Sequence, residues 1–177
     1  GYVSLDLASG RMAAGECGGA EALEAEMRRM NPAEILVADT ALDLAQILKL
    51  HCRRLTPLPA WQFDLAEAKR CLHDQFGVHD LSGFGLESMP AVIAAAGAVV
   101  QYARITQQHS LPHLQPPRLE QEQDFLVLDP TTRRNLELEQ GLGGKVEHSL
   151  LGVLDSTVNP MGSRLLRRWL QRPLRDR

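Results

Sequence analysis

A long apolar segment in the middle of the chain limits the folds that are open to it. Ser88 is placed to cap a helix that runs to about Gln107, and Pro90 falls in the first turn, where a missing amide proton costs nothing. The run from Met89 to Val100 is shorter than the roughly 20 apolar residues that span a bilayer. A helix that is apolar on nearly every side has to be covered by other elements, so we expect a packed core.

The elements before this helix predict an α/β fold. Apolar and polar residues alternate in strands, whereas apolar residues recur every three or four positions in helices, and both patterns are present. Short apolar runs without alternation indicate strands that are buried on both faces. The predicted elements are a hairpin at 3–17, a helix at 20–30, a buried strand at 34–38, a helix capped by Thr40 with His51 on its inner face, and an edge strand or connector at 55–63.

The next helix is predicted from about Asp64 to Phe76, and Gly77 ends it. Its apolar residues repeat at helical spacing, so they form one inward stripe. That stripe comprises Leu65, Ala68, Leu72 and Phe76. The polar residues Glu67, Lys69, Arg70, His73 and Asp74 are left for solvent or a partner.

A change of composition near residue 110 predicts two domains. The segment 110–118 carries three prolines and no periodicity, which is typical of a linker. We therefore divide the chain into a first domain at 1–109, a linker at 110–117 and a second domain at 118–177. The second domain is predicted to hold a strand at 125–128, a helix opened by Asp129-Pro130, a glycine-rich turn at 141–144 and two helices.

The final helix is predicted to begin with Asn159 as its cap and Pro160 at its first position. Its inner face comprises Met161, Leu165, Leu166 and Trp169, and we expect these side chains to be buried. Arg164, Arg167 and Arg168 point elsewhere, and a DNA-binding stripe is the alternative interpretation of these three arginines.

Charge and cysteine content exclude several classes of protein. The net charge is −3, but residues 160–177 hold six arginines and one aspartate, so the rest of the chain is acidic. An acidic body is not typical of a stand-alone nucleic-acid-binding domain. The three cysteines have no CxxC spacing, which argues against a disulfide framework or a zinc site. With no secretion signal or membrane span in the sequence, we expect a cytoplasmic protein, and the start without methionine suggests part of a longer one.

The residues that bear catalytic chemistry give no site above background. Acidic residues at strand ends, Asp6, Glu34 and Asp39, faintly resemble a two-metal nuclease. Pro112 would break a helix carrying His109 and His113 as metal ligands. Cys71 and His73 are two positions apart and so lie on different faces of their helix. The Gly144-Lys145 pair lacks the rest of a phosphate loop, so the residues alone indicate a non-catalytic module with no cofactor or metal site.

Two long strings resemble the bacterial MutS family: LDPTTRRNLEL at 128–138 and LLGVLDSTVNPMGSRLLRRWLQRPL at 150–174. Shorter matches are MNPAEILVA at 30–38, QFGVHDLSGFG at 75–85, and QYARITQ with LPHL between 101 and 114. Several motifs in the same order cover nearly the whole chain, which is far more specific than any one motif alone.

The resemblance implies an RNase-H-like connector domain followed by the helical start of the MutS core domain. It implies that the connector relays conformational state between mismatch-bound DNA and the ATPase and docks MutL, within a homodimer that binds ATP and magnesium elsewhere. For this chain it implies no enzyme activity. The family's connector also has a central strand before the position of Gly1.

MutL docking on the connector directs attention to the helix at 64–76. Its outward residues Lys69, Arg70 and His73 are the predicted partner-binding residues, because they form a polar and partly basic strip. The alternative function is an RNase-H-like metal-dependent nuclease, and a nuclease assay with magnesium or manganese distinguishes the two.

Overall fold

The computed structural model describes residues 1–108, 111–120, 125–126 and 128–175, and the fold is mixed α/β. The chain forms two compact units, residues 1–120 and 121–177. The first unit thus includes the stretch 111–120, which the sequence divides between linker and second domain. Leu111 and Leu114 are buried in the core of this unit, which explains why the stretch belongs to it.

Helix α4, Pro90–Gln107, is the centre of the first unit, as its apolar sequence predicts. Val92, Ala96 and Val100 are fully buried, in a core to which a neighbouring helix and a sheet also contribute residues. The N-cap residue is Met89, without a side-chain cap, so the prediction that Ser88 caps this helix is wrong. With Pro90 as the first helical residue, Ser88 lies one position too early to cap. Among the described residues, no helix combines the length and apolar character needed to cross a membrane.

A three-stranded sheet packs against α4. Strands β1 (Tyr2–Asp6) and β2 (Arg11–Gly15) form the predicted antiparallel hairpin, and β5 (Arg118–Leu119) pairs parallel with β2. The strand order is β1-β2-β5. Gly10 closes the turn at a φ of 69°, with its amide donating to the Asp6 carbonyl at 2.8 Å.

A separate pair of strands lies beside helices α1 and α2. Strand β3 (Glu34–Ala38) runs parallel to β4 (Arg54–Leu58), with Glu34 opposite Arg54 and Ala38 opposite Leu58. Helix α1 spans Ala20–Met30, and α2 spans Leu42–Leu48. Met27, Ile35 and Leu48 form a small second core between these elements.

Two predictions for α2 are wrong. Ala41 is the N-cap residue and has no side-chain hydrogen bond, so Thr40 does not cap the helix. His51 lies beyond α2, in the 3-10 turn Lys49–His51, where its Nε2 is 3.0 Å from Glu24 Oε1. Its side chain is largely buried there, but the contact that fixes the ring is with a carboxylate of α1 and not with the inner face of α2.

Helix α3 spans Leu65–Phe76, in agreement with the predicted bounds. A 3-10 turn at Ala60–Phe63 leads into it, and another at Ser82–Phe84 follows it. Phe76 is half-buried and meets Phe84 edge-to-face, with ring centroids 5.8 Å apart. The prediction that Leu65 lies on the buried stripe is wrong, since this side chain is 36% exposed. Leu65 is in the first turn of the helix, and the core does not extend that far.

The second unit contains helices α5 (Pro130–Asn135), α6 (Leu150–Leu154) and α7 (Pro160–Gln171). Asp129, Ser149 and Asn159 cap them through side-chain oxygens, as predicted for Asp129 and Asn159. In the region of the predicted strand 125–128, Phe125 makes an isolated bridge with Leu174, whereas Leu126 and Leu128 are not in a strand. Residue 127 lies outside the described residues.

The prediction of a buried face on α7 is wrong. Trp169 is 63% exposed and Met161 is 55% exposed, while Leu165 and Leu166 are half-buried. The helix is strongly amphipathic as predicted, but the described residues of the second unit cover its apolar side only in part.

Candidate partner-binding surface

The predicted partner-binding residues lie on a helix that is fixed at both ends. Asp64 Oδ1 accepts hydrogen bonds from the amides of Ala66 at 3.0 Å and Glu67 at 2.9 Å, which satisfies two donors of the first turn. At the other end, Gly77 adopts the left-handed conformation and its amide donates to the His73 carbonyl at 2.8 Å. The two caps therefore fix the backbone of α3, and with it the positions of the residues that point outward.

The inward face of α3 determines which residues point outward. Ala68, Cys71 and Leu72 are buried and pack in the core with α4. Gly97 of α4 lies directly against Ala68, since a Cβ built on Gly97 would be 2.4 Å from the Ala68 Cβ. Contact through such small residues brings the two helix backbones close together, so α3 cannot rotate without breaking the core.

Lys69, Arg70 and His73 form one continuous strip on the opposite side of α3. Lys69 and Arg70 are exposed, whereas His73 is half-buried. His73 is four positions after Lys69 and three after Arg70, and both spacings place it next to those residues on a helix. Arg70 donates to Glu67 at 2.5 Å, so part of its charge is balanced within the helix. We call these three residues the α3 strip.

A polar network at the C-terminal end of α3 joins three segments of the first unit. The Arg104 guanidinium donates from Nε and Nη2 to Gln75 Oε1, at 2.9 and 2.7 Å. Gln75 Nε2 in turn donates to the Leu111 carbonyl at 2.9 Å. Arg104 also lines a shallow groove with Asp74, Ile105 and Leu111. Sequence reasoning missed this network because its members are far apart in the chain.

Cys71 is buried on the core side of α3, on a different side from the strip. Burial raises the pKa of its thiol, and the nearby Asp74 and Glu67 carboxylates act in the same direction. A thiol with a raised pKa stays protonated and is a poor nucleophile at neutral pH. The position of Cys71 therefore favours a packing role.

The three carboxylates that resembled a nuclease site have separate structural partners. Asp6 accepts hydrogen bonds from the Ala8 amide and the Ser9 hydroxyl in the hairpin turn. Asp39 accepts from the Ala60 amide at 3.1 Å. Among the described residues, no three His, Cys, Asp or Glu side chains converge as metal ligands.

The Glu34 side chain, at the start of β3, binds residues of β4 and α4. It accepts hydrogen bonds from Thr56 at 2.5 Å and from Tyr102 at 2.8 Å, and it lies 3.2 Å from Arg54. Desolvation acts to raise the pKa of this carboxyl, but the two hydrogen bonds and the Arg54 charge lower it overall. A carboxylate held in this way joins the sheet to α4.

The remaining sequence candidates also have local roles. His113 Nε2 is 2.9 Å from the Leu7 carbonyl, while His109 lies outside the described residues. In the glycine-rich turn, the Gly141 amide donates to the Lys145 carbonyl and the Gly144 amide donates to the Gly141 carbonyl. Because these amides bond within the turn, the segment does not fit the phosphates of ATP or their magnesium ion.

Two family models match the chain, in the order that the sequence motifs predict. The model described as MutS domain II matches residues 1–115, and the model described as MutS domain III matches residues 131–177. The first match covers most of the α/β unit that carries the α3 strip, and the second covers α6, α7 and all but the first residue of α5. The chain therefore belongs to the MutS family of DNA mismatch repair proteins.

Proposed function

We propose that this chain provides a non-catalytic connector and the start of the core in mismatch repair, and that MutL docks on the α3 strip. In this proposal the compact unit at 1–120 is the connector, and the start of the core lies within residues 121–177. The connector relays conformational state between mismatched DNA and the ATPase of a cytoplasmic homodimer. ATP and magnesium bind elsewhere in that protein.

The fixed geometry of α3 is the observation that carries the docking proposal. Its two ends are capped and its inner face is buried, so Lys69, Arg70 and His73 lie on a preorganised surface. A preorganised surface loses little conformational entropy when a partner binds. The exposed arginine suits this role, because arginine is enriched at the energetic centres of protein interfaces.

We also propose that the connector has an RNase-H-like sheet. The strand pairing supports this, because in the part of the chain that the structure describes β1 and β3 each have one neighbouring strand, in two separate sheets. A single additional strand between β1 and β3 would join the antiparallel hairpin and the parallel pair into one mixed sheet. The partners found for Asp6, Glu34 and Asp39 favour the non-catalytic connector over the nuclease alternative.

The docking proposal is tested by titrating the 177-residue chain with MutL. We expect Lys69→Glu and Arg70→Glu each to weaken binding by about tenfold or more, because loss of a close charge pair at an interface costs over ~1.4 kcal/mol. Both residues are exposed, so neither change should alter folding stability by more than about 0.5 kcal/mol.

Arg28→Glu is the matched control. Arg28 is an exposed arginine on α1 that pairs with Glu24 one turn earlier, as Arg70 pairs with Glu67 on α3. Equal MutL binding by the wild-type chain and all three variants would place the docking surface elsewhere on the connector.

A further inference from the structure

A second surface lies at the carboxyl ends of the parallel strands β3 and β4. The Asp39 amide donates to the Leu58 carbonyl at 2.8 Å, and the Ala60 amide donates to Asp39 Oδ1 at 3.1 Å. These two bonds hold the segment that follows β3 against the segment that follows β4. Helix α2 begins in the first segment, and α3 begins directly after the second.

The two segments expose large apolar side chains where an aqueous surface would favour polar ones. Trp61 is 64% exposed, Leu42 is 68% exposed and Leu65 is 36% exposed. We call these three residues the Trp61 patch. Tryptophan is strongly enriched at the energetic centres of protein interfaces, whereas it is usually buried for the most part in a folded core.

The two segments that carry the Trp61 patch are acidic. Residues 39–43 and 59–67 contain Asp39, Asp43, Asp64 and Glu67 but no lysine or arginine. Lys69 follows Leu65 by one helical turn, and Arg70 is paired with Glu67. Asp39 and Asp64 accept amide hydrogen bonds, which leave their negative charge in place. Arg54 lies at the opposite end of β4, about 13 Å away at 3.3 Å per residue.

A buried acceptor in the same loop also lacks a hydrogen-bond donor. Gln62 Oε1 is buried and has no hydrogen-bond partner among the described residues. Buried polar atoms in folded proteins nearly always have such a partner. This acceptor lies beneath the surface, so the groups that the loop exposes to a partner are its carboxylates, and lysine and arginine are the side chains that only donate.

From these features we propose that the Trp61 patch binds a basic segment of a protein partner. An apolar side chain of that segment packs against Trp61, and its lysine or arginine side chains pair with Asp39, Asp43 and Asp64. This surface differs from the α3 strip, which offers cations to its partner. The two surfaces therefore select segments of opposite charge.

Trp61 fluorescence provides a direct test. The chain has two tryptophans, so Trp169→Phe leaves Trp61 as the sole emitter, and Trp169 is exposed enough for the change to be tolerated. The probe is a synthetic amphipathic peptide of leucine and lysine, and the comparison peptide has glutamate in place of every lysine. We expect the lysine peptide to shift Trp61 emission to shorter wavelengths in a saturable way, and the glutamate peptide to have no effect.

Two variants test the residues of the patch. In the same background, Asp43→Lys should weaken binding of the lysine peptide by about tenfold, the effect of losing one close charge pair. In the wild-type background, Trp61→Ala should weaken binding to a similar or greater degree when measured by calorimetry. Glu87→Lys is the matched control, because Glu87 is an exposed acidic residue outside the patch and its change should leave affinity within about twofold.

Three outcomes would overturn the proposal. An equal response to both peptides would indicate an apolar surface without charge selection. A lysine-peptide affinity that falls equally with Glu87→Lys would indicate general attraction to an acidic body. Self-association of the chain that Trp61→Ala abolishes would identify a second copy as the occupant. The result for Lys69→Glu has a different meaning, because Lys69 belongs to the α3 strip. Retention of lysine-peptide binding by this variant would support a binding surface other than the one proposed for MutL.

Discussion

Helices α3 and α7 have nearly the same local design but different surroundings. Each is 12 residues long, each begins with a side-chain cap, and each has an amphipathic sequence. Helix α3 buries Ala68, Cys71 and Leu72 in the core of the first unit. No side chain of α7 is buried by the described residues, and Trp169 is 63% exposed.

The difference shows that periodicity identifies an apolar face without identifying what covers it. In the first unit, α4 supplies a surface of small and aliphatic residues that α3 can approach closely, as at Gly97 and Ala68. In the second unit, the only described residues that are buried are Leu138, Gly141, Ser149 and Leu151. Both helices have an amphipathic sequence, but the apolar face stabilises a helix only where other elements bury it.

The largest effect that we expect from this comparison is at Leu72. Leu72 is fully buried between α3 and α4, so Leu72→Ala should lower the free energy of unfolding of the first unit by about 2 to 5 kcal/mol. Urea unfolding followed by far-ultraviolet circular dichroism measures this change. Leu72→Met is the control, and its cost should stay below about 1.5 kcal/mol because it conserves volume. A loss below 1 kcal/mol for Leu72→Ala would contradict the packing described for α3.

An intermediate effect is expected at the caps, where the two helices are alike. Asp64→Ala and Asn159→Ala each remove an acceptor for first-turn amides, at a cost of about 1 kcal/mol. For Asp64→Ala the loss should appear in cooperative unfolding of the first unit, because α3 is part of its core. For Asn159→Ala it should appear as fraying of α7, seen as faster amide hydrogen exchange at Gly162 and Ser163. Restoring the acceptor with Asp64→Asn and Asn159→Asp should recover most of each loss.

The smallest effect is expected at Trp169. Substitution of an exposed residue changes stability by about 0.5 kcal/mol or less, so Trp169→Ala should behave like a surface change in this chain. A buried tryptophan would instead cost about 3 to 5 kcal/mol. Thermal unfolding of the variant distinguishes the two values, and the emission maximum of Trp169 in a Trp61→Phe background reports its exposure independently. A large loss together with blue-shifted emission would remove the contrast between α3 and α7.

Much of the candidate site follows from local sequence. Helical spacing predicts that Lys69 and Arg70 point away from Ala68 and Leu72, and both are exposed in the structure. The capping role of Asp64 and the end of the helix at Gly77 can also be predicted from the sequence, because each depends on the backbone geometry of neighbouring residues. That MutL binds there is still a prediction.

Other features of the site required the folded chain. Gln75 and Arg104 are 29 positions apart, and no periodicity connects them. The Trp61 patch forms because parallel pairing of β3 and β4 brings Leu42 and Trp61 to the same edge of the sheet. Leu65 is apolar and in register with the inward stripe, yet it is exposed because the core does not extend to the first turn of α3.

The sequence by itself determined the order and type of most elements, the ends of α1 and α3, the start of α7 and, through the motifs shared with MutS, the family to which the chain belongs. The type and the ends of an element depend on hydrogen bonds and side-chain spacing within a few residues, so they can be predicted from the local sequence. The tertiary structure alone decided that residues 111–120 pack with the first unit and that Trp169 is exposed. Burial depends on which distant surfaces meet, and a local pattern contains no information about the surface on the other side of the contact.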